Sequence, residues 1–376
     1  MEKIEKIFTN VKPINHSGNS GSGKNVLRIK DKNFSIDSIY KILEHMNWVI
    51  DKKVTNLKFK IIIESEFIND EPTLMLFEAI IYYMISKYYI NLSYRFEIRM
   101  NVIGYELFKN SLLYKYNKKN IDRESYIKEY EKNITIDNTH YRKRCINSLE
   151  NKKGKFLSIT MGDIEAFLKN LNINEEYAGD IAEVISEIIG NALEHSNGDC
   201  LVNINVLKND EKKYKYIDIA LLDIDEINYG TGIKKYVESN NYNEYNEKNK
   251  VVLEAYKIHK KYFDNKYDLE AFSIISAFQK YVTTRKESLY TGGTGLTKLI
   301  RALIDKSDAH YCYAISGNTM LKFIRKYLVL TDEGLIGFNE NNNYKENIPS
   351  KESVIKTKYN INANIYNLQF IFKERE

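Results

Sequence analysis

The sequence predicts an α/β protein in two parts, on three observations. Short β-branched runs alternate with helical stretches over the first third of the chain. A long amphipathic helix then leads into two apolar strands. Last, a glycine-rich loop opens a helix and is followed by closing strands that end in NIYNLQFIF. With 376 residues, the chain is long enough for two or three units, and its 43% apolar content is enough for a sizeable core.

Residues 1–25 read as a flexible leader. They contain GNSGSGK (Gly18 to Lys24), which has the glycine and lysine spacing of a phosphate-binding loop. Asn25 stands where a Ser or Thr would hold magnesium, and no apolar strand precedes the loop, so no phosphate site is expected there. From 26 to 116 the order is strand (VLRIK), helix (SIDSIYKILEHMNWVI), strand (LKFKIII), buried helix (PTLMLFEAIIYYMISKYY) and strand (YRFEIRMNVI). Pro72 suits the first turn of the second helix, where its missing N–H has no partner to lose. This β-α-β-α-β order predicts a small α/β domain that resembles, in element order alone, the STAS-like domains of bacterial signalling proteins. Residues 117–155 are highly charged and weakly periodic, which predicts a helical connector.

A second domain is expected over 156–376. FLSIT reads as a strand and MGDIEAFLKNL as a helix, followed by a long helix over about Glu175 to Ser196. In that helix Ile181, Val184, Ile185, Ile188, Ile189 and Ala192 form one apolar stripe that should pack on a sheet. Glu183, Glu187 and Asn191 follow at i+4 steps on a neighbouring face. Carboxylates at that spacing are what any solvated face shows, but Gly190 and Asn191 are poor residues for the middle of a strong helix. An asparagine amide oxygen is a hard ligand suited to magnesium. Further on, YIDIALLDIDEINYGTGI runs an apolar strand into Asp223 and Asp225 and then into Gly230 and Gly232. TGGTGLTKLIRALI carries Gly292, Gly293, Thr294, Gly295 and Leu296 at the start of a helix, where backbone amides can face phosphate. Arg285 and Lys298 flank that loop and could reach phosphate oxygens, although surface charge explains both.

EIIGNALEHS resembles the asparagine box of the GHKL superfamily, which has the Bergerat fold and includes histidine-kinase catalytic domains, anti-sigma-factor serine kinases, Hsp90, gyrase B and MutL. The two later segments resemble, in the same order, the first and second glycine boxes of that superfamily. The resemblance implies an α/β sandwich with a mixed sheet and a site for ATP and Mg2+. It gives Asn191 to the magnesium and Glu187 to the activation of an attacking water. Adenine recognition falls to Asp223, with Asp225 as the alternative, and the phosphates to Gly292, Gly293, Thr294, Gly295 and Leu296. Gly230 and Gly232 come several residues later than the first glycine box places its glycine, so the turn is expanded. A helical lid over about Ile233 to Leu289 is also implied.

The activity the resemblance implies is ATP hydrolysis that drives conformational change or partner binding in a bacterial signalling or defence system. A protein serine/threonine kinase of the anti-sigma partner-switching type, or a non-catalytic nucleotide-sensing module, are the alternatives. His45 and His140 lack the context of a phosphoacceptor histidine, which argues against a sensor kinase. A protein partner is expected, and a homodimer is open. The net charge of +5 is mild and well mixed, so nucleic acid is not indicated, and the 30 tyrosines fit AT-rich codon usage. Cys145, Cys200 and Cys312 show no paired spacing, no stretch is apolar enough for a membrane, and no signal peptide is read at the N-terminus. The expected setting is cytoplasmic.

Overall fold

Two sheets organise the chain in the computed structural model. It describes residues 4–9, 11–13, 26–51, 58–65, 67–68, 70–88, 91–97, 102–118, 121–146, 154–195, 200–209, 214–225, 227–239, 250–280, 282, 299–302, 304 and 309–373. The first sheet is parallel, in the order β1 (Val26–Ile29), β3 (Lys58–Ile63), β5 (Asn91–Phe96). The crossovers are α2 (Ile36–Asp51) and α3 (Glu71–Tyr88), as the alternation predicts, and β2 (Asn33–Phe34) pairs with β4 (Phe67–Ile68) beside them. The last expected strand overshoots: β5 ends at Phe96, and Val102–Asn110 is helix α4.

The second sheet has six strands in the order β10 (Ala309–Lys322), β11 (Val354–Lys373), β9 (Tyr214–Asp223), β8 (Cys200–Asn209), β7 (His140–Cys145), β6 (Ile134–Asp137). The expected mixed sheet is corrected here, because every pairing in it is antiparallel. The physical reason is local for two of the pairs: β6–β7 and β8–β9 are joined by short reversals, which leave no room for a crossover.

Three further expectations are corrected. FLSIT is not a strand but the first part of α7 (Gly154–Asn170), where Thr160, Ile164, Phe167 and Leu168 are buried at helical spacing. The stretch read as a helical connector does hold helix, in the end of α5 (Leu112–Lys118) and in α6 (Arg123–Glu131), but then forms β6 and β7 and joins the sheet. The leader is docked at its start: Ile4, Ile7, Phe8 and Val11 are buried around α1 (Lys6–Thr9). GNSGSGK lies outside the described residues.

The six-stranded sheet has helices on both faces. On one, α7 and α8 (Glu175–His195) share a core with Val202, Ile204, Ile217, Ile219 and Leu221. The predicted stripe of α8 is buried there in full. On the other, Leu201, Leu207, Ala220, Leu222, Ile315 and Ile365 join the core of the N-terminal unit. α3 is therefore sandwiched between the two sheets, which explains why every residue from Glu71 to Ile85, both glutamates included, is buried. The expected lid is helical, as α9 (Thr231–Glu238), α10 (Lys250–His259) and α11 (Leu269–Ala277), but its buried residues belong to the same core as α8.

Charge enters the core in the layer between α3 and the sheet. Glu78 Oε2 accepts from Arg142 Nη1 at 2.5 Å, and Glu78 Oε1 accepts the Leu112 N–H at 2.6 Å. Glu71 accepts from Asn203 at 2.7 Å and Asp218 from Gln369 at 2.9 Å, but Glu71 Oε2 and Asp218 Oδ1 have no hydrogen-bond partner. Burial pushes the Glu71 carboxyl well above its ordinary range, with Asp218 adding to the effect, and burial raises Asp218 to about 7.

The folded chain thus holds protons that the unfolded chain releases above pH ~4. Stability is expected to fall as pH climbs from about 4 to about 7, by on the order of 4 kcal/mol for Asp218. Thermal unfolding between pH 5 and pH 8 checks this. Wild type should lose stability across that range, and Asp218→Asn, with no proton to release, should show a shallower slope.

Candidate functional site

The residues singled out by sequence fall in three places. The first is a groove between α7 and α8, of about 300 Å³, lined by Leu157, Ser158, Met161, Glu183, Ser186, Glu187, Gly190 and Asn191. The i+4 row predicted on α8 is the polar wall of this groove, because the apolar stripe beside it is turned to the sheet. A Cβ at Gly190 would meet Leu157 Cδ1 at 3.2 Å, a close approach that marks where α7 packs on α8. The polar residues that line the groove, Ser158, Glu183, Ser186, Glu187 and Asn191, carry oxygen donors, the kind that hard cations prefer. Glu187 and Asn191 are therefore placed together and their chemistry fits magnesium.

The second place is the end of β9. Ile217, Ile219 and Leu221 face α8, and Asp223 continues that alternation, so its side chain belongs to the α8 face of the sheet. Asp223 is buried, and its Oδ2 accepts from Asn364 Nδ2 at 3.1 Å. Asn364, directly opposite in the register, works as a hub. Its Nδ2 also donates to the Ile227 carbonyl at 3.0 Å, and its Oδ1 accepts from Ser316 Oγ at 2.6 Å and from the Tyr229 N–H at 3.3 Å. The hub fixes both the Asp223 carboxylate and the turn that follows it.

Asp225 is placed differently. It is buried in an ion pair with Lys6 of α1 at 3.0 Å, which ties the N-terminal segment to the end of β9. Gly230 caps α9 with φ of 78°, and a Cβ there would lie 2.5 Å from the Ser273 carbonyl carbon. Packing against α11 thus demands glycine at 230 by itself. Gly232 lies in the first turn of α9.

The third place, Gly292, Gly293, Thr294, Gly295 and Leu296, lies outside the described residues, as do Arg285 and Lys298. The helix that carries Glu187 and Asn191 and the side chain of Asp223 thus lie on the same side of one sheet.

Sequence reasoning missed Asn364, Ser316, Ser186 and Lys6. A signal existed for the first: Asn364 is in phase with Tyr366, Leu368 and Phe370, whose side chains face the α8 core, so a polar residue there breaks an apolar row. His45 and His140 are both buried core residues. Burial holds the His140 imidazole down to about 3, which keeps it neutral. The three cysteines are buried, and the register sets Cys145 opposite Cys200, a proximity invisible in their spacing.

Comparison of the chain with protein-family models, with curated proteins and with solved structures gives no match in any of the three. Among the described residues, no helix is long and apolar enough to cross a membrane.

Proposed function

We propose that the second half of the chain binds ATP with magnesium in a GHKL-type site and hydrolyses it to drive a conformational change or the binding of a protein partner. One observation carries the reading. The helix bearing Glu187 and Asn191 packs on the same face of the sheet toward which Asp223, at the end of a core strand, presents its carboxylate.

In this reading the Asn191 amide oxygen holds the magnesium, which when bound neutralises charge on the phosphates. Glu187, one helical turn earlier, takes the proton of the attacking water. Asp223 accepts a hydrogen bond from the adenine amino group, with Asn364 fixing its orientation. Gly292, Gly293, Thr294, Gly295 and Leu296 close over the phosphates, a role that rests on the resemblance of TGGTGL to the second glycine box.

Phosphate release from γ-labelled ATP tests the chemistry. Glu187→Gln is expected to bind ATP as wild type does and to release phosphate at least ~100-fold more slowly, the contribution a positioned general base makes. Equal turnover in the two proteins would remove Glu187 from the role of base. Label transferred to a purified protein with no free phosphate would replace hydrolysis by a kinase reaction.

A further inference from the structure

Among the described residues, the six-stranded sheet ends in β10 at one side and in β6 at the other. The two edges differ. β10 has register breaks between Ser316 and Gly317 and between Gly317 and Thr319, and irregularities of this kind bend an edge strand away from further pairing. β6 pairs with β7 without a break and contains neither lysine nor proline, the residues that commonly guard an edge. The Arg144 N–H donates to the Asn133 carbonyl at 2.8 Å, which fixes the hydrogen-bonding phase of this hairpin. Asn133, Thr135 and Asp137 turn their backbone groups to β7, and Ile134 and Ile136 turn theirs outward. The side chains of these two isoleucines are 41% and 55% exposed. They lie on the α7 face, because Ile136 is opposite the core residue Tyr141, and Ile134 is opposite Lys143, which pairs with Asp163 of α7. Ile159 is exposed on the side of α7 that carries Phe156 and Asp163, and those two line a groove of about 270 Å³ with Ile134 and Ile146. Apolar side chains gathered beside outward strand donors and acceptors mark a surface for association.

We infer that β6 pairs antiparallel with β6 of a second copy of this chain, joining the two six-stranded sheets into one across a twofold axis. A second copy is the occupant because the edge is complementary to itself. With Thr135 opposite its own equivalent, Ile134 stands opposite Ile136 of the second copy, and each such pair exchanges two hydrogen bonds through its outward backbone groups. The paired isoleucines cover each other on the α7 face, and Ile159 of both copies lies on that same face. No like charges meet in this register: Asp137 stands opposite Asn133 of the second copy, and Lys132 opposite Asn138. The paired segment is short, so a dimer of modest affinity follows. The inference stands whether or not the chain binds ATP.

Sedimentation equilibrium of the full chain without nucleotide is the test. Over concentrations of about 1 to 100 μM, the mass should rise from the 44.2 kDa of one chain toward twice that value. Ile136→Lys changes an exposed side chain, so the unfolding midpoint should stay near wild type while dimerisation weakens by about tenfold or more. In Thr135→Cys, diamide should join the two copies, taking up the two thiol hydrogens as the S–S bond forms. Opposite residues in a pair of this type have Cα atoms about 4.5 Å apart, within reach of a disulfide. Wild type, whose three cysteines are buried, should not crosslink. A wild type that stays monomeric over this range would overturn the inference and leave the edge to an extended segment of another protein. Undiminished dimerisation of Ile136→Lys, or a dimer of Thr135→Cys that diamide does not crosslink, would overturn it by placing the interface elsewhere. Because no ATP is present, none of these results bears on the nucleotide site.

Discussion

Arg142→Ala is expected to destabilise the protein by about 3–5 kcal/mol, the loss that follows when a buried ion pair is broken from one side. The two side chains are 4% and 1% exposed and meet at 2.5 Å. Removing the guanidinium strands the Glu78 carboxylate in the layer between α3 and the sheet, where Glu71 and Asp218 already hold unpartnered oxygens. The Tyr130 ring also loses the cation over its face, at 5.1 Å. Urea unfolding should show a lower midpoint. Arg142→Met combined with Glu78→Gln should recover a large part of the loss, because no uncompensated charge remains. A single variant as stable as wild type would show that the pair does not anchor α3 to β7.

Asp223→Ala is expected to lower ATP affinity by about 10- to 150-fold, the equivalent of the 1.5–3 kcal/mol that a hydrogen bond to a charged group contributes. The contrast with Asp225 gives the experiment its control. Asp225→Asn weakens an ion pair to Lys6, so it should lower the unfolding midpoint while leaving ATP affinity close to wild type. The reverse outcome, with affinity lost at 225 and kept at 223, would move adenine recognition to the other aspartate. The expectation for Asp223 rests on its place opposite Asn364, which already donates to one of its oxygens.

Much of the fold was legible because local pattern and tertiary burial agree. The α8 stripe, the apolar α3 and the β8 and β9 runs each bury the residues their periodicity selects. The β6–β7 hairpin was not legible because HYRKRC reads as a charged surface. Its Arg142 is buried only because Glu78, far away in sequence, neutralises it, and Lys143 because Asp163 pairs with it at 3.0 Å. Thr160 hid the start of α7 in a similar way, since its β-branched side chain suits a strand, yet its Oγ1 bonds back to the Phe156 carbonyl at 2.9 Å. In the candidate site the i+4 row on α8 could be read from spacing, whereas Asp223 and Asp225 were singled out by the resemblance of their segment to the first glycine box. Asn364 could not be assigned to Asp223 without the β9–β11 register, which only the folded sheet supplies.

Calorimetric titration of ATP, with and without magnesium, into wild type and Asn191→Ala decides whether the second half of the chain holds a magnesium-dependent nucleotide site. Wild type should bind ATP in a magnesium-dependent way, and the variant, still folded, should lose that dependence. A folded wild type that takes up no adenine nucleotide, or an Asn191→Ala variant with undiminished magnesium dependence, would contradict it.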